Sequence, residues 1–191
     1  LLFFTNKGRV YDKRVFDVPE MSRTSLGRSI AHLLEFQEGE KLASVLAIED
    51  FSRDEQYLLF ATARGTVKKT ALSAYGHILS RGIIAIKLEE GDELIGVALT
   101  SGRDEIILGT KLGMAVRFNE DPDKGGVRAM GRNAAGVRGI TLGEGDEVVS
   151  LIVVPVENND SEEPADDNGD DNADEGEITD VGQAMVLVAT A

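Results

Sequence analysis

The residues of this sequence best suited to chemistry are cations. Lys7, Arg9, Arg14, Arg23 and Arg28 stand in a first stretch, Arg64, Lys68, Lys69 and Arg81 in a second, and Lys111, Arg117, Arg128, Arg132 and Arg138 in a third. Cations held at intervals on a rigid surface neutralise phosphates, and that chemistry needs no base-reading geometry. The bland reading is that cations on outer strands only keep sheet edges soluble. Recurrence after the same phrase, three times over, favours the phosphate reading.

Other chemistries find little support. His32 and His77 have no partners at ligand or triad spacing. The absence of Cys removes disulfides, thiolate zinc sites and a cysteine nucleophile. Gly125-Gly126 with Arg128, and Gly131 with Arg132, lack the strand, Lys-Ser/Thr and helix of a P-loop. They read as a loop touching a phosphate backbone. The run DDNGDDNADEGE fails the EF-hand pattern, because no Gly sits sixth after correctly spaced Asp or Asn. No catalytic or metal site is assigned.

The cations are carried by a repeated unit. The phrase is an apolar run, Thr, two residues, Gly, then a basic strand. Its copies are LLFFTNKGRVYDKR from Leu1, YLLFATARGTVKKT from Tyr57 and IILGTKLGMAVRF from Ile106; AMVLVATA from Ala184 begins a fourth. A glycine-marked strand follows each copy (GRSIAHLL, RGIIAIKL, GVRGITL), then an acidic turn (EGEKL, EGDEL, EGDEV) and a closing apolar strand (ASVLAI, IGVAL, VSLIVV). The turn glycines Gly39, Gly91 and Gly145 are 52 and 54 residues apart. Such a period means one supersecondary unit used repeatedly, as in propellers and solenoids. Short strands between Gly-rich turns predict an all-β fold. Leu1 to Thr5 is apolar on both faces and suits a strand buried on both sides. A single turn of helix is expected near Ala71–Tyr75. The units are 1–52, 53–101 and 102–156, each too small to be stable unless stacked on a neighbour. Arg9, Arg14, Lys68, Lys69 and Arg117 are expected on one continuous rim.

The net charge of −14 belongs to one segment. Residues 157–180 hold twelve Asp or Glu and no Lys or Arg; without them 20 basic residues face 22 acidic ones. Residues 157–182 have almost no apolar content, cannot repay their ordering entropy, and read as a disordered insertion before the strand at 183–191. No apolar stretch approaches the ~20 residues of a membrane span, and no signal peptide opens the chain. The chain starts mid-strand without Met and stops as a repeat restarts, which predicts a piece of a longer polypeptide.

The segments TNKGRVY from Thr5, ATARGTVKKT from Ala61, GDELIGVALTSGRDEIIL from Gly91 and VRAMGRNAAGVRGITLGEGD from Val127 resemble the C-terminal domain of the DNA gyrase A subunit. The A subunit of topoisomerase IV is the near relative. The resemblance implies a β-pinwheel of propeller-like four-stranded blades, normally six. This chain would hold about three and the start of a fourth. It implies a basic rim around which double-stranded DNA bends without sequence preference, supporting ATP-driven negative supercoiling by a bacterial, cytoplasmic enzyme. The implied partner of the parent is the gyrase B subunit, in an A2B2 assembly. ATP and Mg2+ would be bound by regions outside this chain, as would the catalytic tyrosine, and no cofactor is implied within it. The family's Gln-Arg-Arg-Gly-Gly-Lys-Gly box would lie upstream of Leu1. A propeller-like protein-interaction scaffold without DNA binding is the alternative.

The acidic segment yields a first prediction. The bland reading is a solvated loop that costs little closure entropy. The functional reading is that twelve carboxylates, tethered near a basic rim, would compete with DNA at an effective concentration in the ~millimolar range. Replacing 157–180 by a short Gly-Ser loop is expected to raise affinity for duplex DNA at low salt. The gain should shrink once the Debye length falls to about 8–10 Å. Titration of both versions with one duplex at two salt concentrations decides it; equal affinity at low salt, with both folded, leaves only a solvated loop.

Overall fold

Short apolar segments punctuated by glycine form strands and little else. The computed structural model describes residues 1–53 and 55–156. The acidic segment 157–182 and the phrase at 183–191 lie outside the described residues. Among the described residues are eleven strands and four 3-10 turns, with no α-helix. One 3-10 turn, Leu72–Tyr75, sits where a turn of helix is expected.

Each copy of the phrase is a hairpin. Strands β1 (Leu2–Thr5) and β2 (Arg9–Asp12) form the first. The second is β4 (Tyr57–Thr62) with β5 (Thr66–Ala71), and the third β8 (Glu105–Thr110) with β9 (Ala115–Asn119). The Thr and Gly of the phrase have one job in all three. The carbonyls of Thr5, Thr62 and Thr110 accept the amides of Gly8, Gly65 and Gly113 at 2.9, 3.0 and 3.1 Å. Their hydroxyls accept the amides of Arg9, Thr66 and Met114 at 3.4, 3.2 and 3.1 Å. The glycines supply the positive φ that closes the turn, +74°, +81° and +85°. The acidic turns brace these hairpins. Asp92 accepts the amides of Arg64 and Glu93, and Asp146 those of Leu112 and Glu147.

The closing strands β3 (Leu42–Leu46), β7 (Leu94–Thr100) and β11 (Val148–Val154) pair with β1, β4 and β8. The glycine-marked strands do not stay with their own units. Strand β6 (Ile83–Ile84) pairs with β2 of the first sheet, and β10 (Val137–Arg138) with β5 of the second. The sheet orders are β3-β1-β2-β6, β10-β5-β4-β7 and β11-β8-β9. Strands that the sequence repeats assign to units two and three thus complete the sheets of units one and two. The physical reason is an edge and an orphan carbonyl. The amides of Ala85 and Ile86 both donate to Gly8 O (2.8 and 3.2 Å), and those of Gly139 and Ile140 both donate to Gly65 O (2.8 and 3.3 Å).

The core lies between the stacked sheets. Leu2, Phe4 and Val10 pack on Leu58 and Phe60, with the Phe4 and Phe60 rings edge to face at 5.7 Å. Leu59, Ala61 and Val67 turn the other way, onto Ile106 and Leu108. All four residues of β1 are buried, in line with its two-faced apolar pattern.

The crossing strands predict unequal costs for one substitution in equivalent turns. A Cβ on Gly65 would meet the Ile140 side chain at 2.8 Å and its carbonyl at 2.9 Å, whereas Gly113 has nothing within 4 Å. Gly113→Ala is expected to cost only the left-handed backbone penalty, about 1–2 kcal/mol. Gly65→Ala should cost visibly more, since it also pushes β10 off β5. Urea unfolding of both variants measures the difference.

Candidate nucleic-acid interface

Strand register places the candidate cations. Phe3, Phe60 and Leu108 pair with Tyr11, Lys68 and Val116, so these three are equivalent; one step on, Leu2, Leu59 and Ile107 pair with Asp12, Lys69 and Arg117. The cations that follow the Thr-x-x-Gly turn therefore do not recur residue for residue. Lys68 and Lys69 do not join a rim either. They are 0% and 2% exposed and point to opposite faces of β5.

Both lysines are held by carbonyls. Lys68 Nζ donates to Ala85 O and Arg132 O at 2.6 Å each, and to Gly131 O at 3.4 Å. It also lies 5.0 Å from the Phe60 ring centroid. Lys69 Nζ donates to Glu120 O at 2.8 Å and stands 3.8 Å from the Glu120 carboxylate. That carboxylate accepts Thr100 Oγ1, Gly102 N and Asp104 N. Burial lowers the Lys69 pKa, and the Glu120 charge opposes the shift.

Four other candidates are engaged in ion pairs. Lys7 meets Glu93 at 3.2 Å and Lys111 meets the equivalent Glu147 at 2.9 Å. Arg117 meets Glu105 at 2.9 Å on the outer face of the third sheet. Hydrogen bonds from Asn119 and then Arg117 hold the Glu105 carboxyl below its usual range. Arg9 lies 3.6 Å from Glu40, donates to the carbonyls of Arg81 and Gly82, and is only partly exposed. Exposed pairs of the Lys7 type contribute ~0–1 kcal/mol and are readily exchanged for another anion.

The remaining cations are at the surface. Arg14 lies over the Phe16 ring, and Arg23, Arg28, Arg81 and Arg128 are exposed. Arg132 is partly exposed. Two candidates from different units are brought together. Arg64, in the second hairpin turn, and Arg138, on β10, line one cleft of about 380 Å³. Lys87 lines it too and is a cation that the repeat reading passes over. Its signal is weak, a lone cation near the end of the apolar run GIIAIKL. All three are exposed. Glu89 and Asp92 share the cleft, but Asp92 is committed to the turn amides. The cleft exists because β10 crosses to β5. Among the described residues, no group of three or more His, Cys, Asp or Glu could hold a metal ion.

The family model for the DNA gyrase C-terminal domain, a beta-propeller, matches residues 1–49, 56–101 and 104–155. The chain belongs to that family. It is 46% identical over 153 residues to the DNA gyrase A subunit of Staphylococcus aureus (strain NCTC 8325 / PS 47), and 48% identical over 153 residues to that of Escherichia coli (strain K12). Each match covers 80% of this chain and 17% of the relative. Among solved structures, the C-terminal domain of DNA topoisomerase IV superposes with a TM-score of 0.71 at 35% identity, covering 81% of this chain and 47% of that one. The DNA gyrase A C-terminal domain gives 0.65 at 25% identity, covering 80% and 47%. The all-β, propeller-like architecture expected from the repeats is the architecture found. No helix among the described residues is long and apolar enough to cross a membrane.

Of the two buried lysines, Lys68 carries the larger pH signature. Burial, with the Arg132 charge beside it, pushes Lys68 down to about 8. The unfolded chain keeps that proton to about pH 10.4. Between those values the unfolded state binds more protons, so this position makes stability rise with pH. Urea unfolding from about pH 8 to pH 10 is expected to show the parent gaining on Lys68→Met. Parallel pH curves would refute it.

Proposed function

We propose that this chain is a non-sequence-specific DNA-binding and wrapping module of a bacterial type II topoisomerase, from a gyrase A subunit. The observation that carries the reading is the cleft at the seam of two repeats, where Arg64, Lys87 and Arg138 come together on stacked sheets. Membership of the gyrase C-terminal domain family supports it. A phosphodiester backbone needs cations in series on a stiff support, and this seam holds three of them on hydrogen-bonded strands and turns. Bending 20–30 bp by 40–90° costs on the order of 1–6 kcal/mol, which several phosphate contacts per blade offset.

The chain spans 17% of the gyrase A relatives it matches. The catalysis of the parent therefore belongs to the rest of that polypeptide and to the gyrase B subunit. On this reading the parent binds ATP and Mg2+ elsewhere, works in the bacterial cytoplasm, and uses the wrapped DNA segment for negative supercoiling.

A salt titration tests the module directly. Random-sequence duplex should bind with little sequence preference, its affinity falling steeply with salt. Arg64→Ala with Arg138→Ala is expected to weaken all sequences alike and to reduce the slope of log K against log salt by about 1.8, or ~0.9 per lost phosphate contact. Strong preference for one short sequence, unaffected by salt, contradicts backbone recognition. No binding at low salt would favour the protein-interaction scaffold, in which ion pairs such as Lys7–Glu93 serve the surface alone.

A further inference from the structure

We propose that Lys68 is a positioning residue whose buried ammonium selects one conformation of the Gly131–Arg132 turn and so fixes where Arg128 and Arg132 stand. The consequence for DNA rests on the function proposed above; the consequence for the turn does not.

Nothing about β5 itself asks for a lysine. The equivalent residue is Tyr11 in the first sheet and Val116 in the third. An ammonium that is 0% exposed with no carboxylate within ion-pair distance among the described residues is a costly choice. The neighbour that differs is the segment 129–134, which runs beside β5. Ala129 forms a parallel bridge with Lys69. The Met130 amide donates to Lys69 O at 2.8 Å, and the Lys87 amide to Ala134 O at 3.2 Å. Between these main-chain ties, the Lys68 side chain takes the carbonyls of Gly131 and Arg132.

The three acceptors are not equal. Ala85 O also receives the Tyr75 hydroxyl at 3.0 Å, and Gly131 O also receives the Ala134 amide at 3.1 Å. Among the described residues, Lys68 is the sole donor to Arg132 O. Loss of the ammonium therefore falls mainly on Arg132, whose side chain leaves from the same residue. Arg128 leaves from the start of the segment. A buried charge of this kind gives up stability and returns a unique geometry, because only a turn that brings carbonyls to it is tolerated.

Hydrogen exchange on the full chain separates this from ordinary packing. In Lys68→Met, the Met130 and Ala134 amides are expected to exchange about tenfold faster or more, while β4 amides hold their protection and the urea midpoint does not fall. Duplex affinity should drop about threefold or more, and adding Arg128→Ala and Arg132→Ala should cost less in Lys68→Met than in the parent. Unchanged exchange at Met130 and Ala134 overturns the proposal, as does free exchange of these amides in the parent itself. Should Lys68→Met fail to fold, the absence of Cys allows a second route. Lys68→Cys, alkylated while unfolded with 2-bromoethylamine or with 1-bromopropane, gives a charged and a neutral isostere; only the charged one should restore slow exchange. If the parent binds no duplex, the DNA reading fails and exchange alone decides the positioning role.

Discussion

Strand β4 has no face left for water, and the architecture follows from that. Leu58 and Phe60 point into the core shared with the first sheet; Leu59 and Ala61 point into the core shared with the third. Leu58, Leu59 and Phe60 each contribute roughly 1.5–3 kcal/mol, and only when the sheet each one faces is in place. A single sheet would leave one apolar face wet. The repeats must therefore stack, and the stack must be stiff enough to keep both faces closed at once.

Stacking alone would let the sheets slide. The crossing strands β6 and β10 prevent it by joining the first and second sheets to the units that follow them in sequence. Gly8 and Gly65 make the junction possible, since a side chain on either would strike the carbonyl of Ile86 or Ile140. The same crossing carries Arg138 to Arg64 and Lys87. Structural necessity and the cationic cleft thus share one backbone event.

The buried lysines show how charge is spent away from the surface. Lys69 has a carboxylate nearby in Glu120, itself fully hydrogen-bonded to the 100–104 turn. Lys68 has only carbonyls and an aromatic ring. Neither faces solvent, so neither offers a phosphate anything. What they do is gather the carbonyls of neighbouring loops. The cations that meet solvent are mostly those on turns and crossing strands, where the chain leaves the core, with Arg117 on β9 an exception.

Much of this was legible in the residues. The all-β class follows from short apolar runs and glycine turns, the hairpins from Thr-x-x-Gly, and the burial of β1 on both faces from LLFFT. Family membership was legible because whole segments, not isolated positions, carry the pattern. These are local properties, set by backbone sterics and by periodicity within a few residues. Which strand completes which sheet is not local. Strand β6 pairs with a residue run more than seventy positions earlier, and two-residue strands leave no periodic trace. The direction of Lys68 and Lys69 was equally hidden, because a lysine reads as surface unless carbonyls from distant loops converge on it. Sequence determined the unit and its charges; tertiary structure alone decided which charges meet solvent, because burial depends on what the rest of the chain brings to the same place.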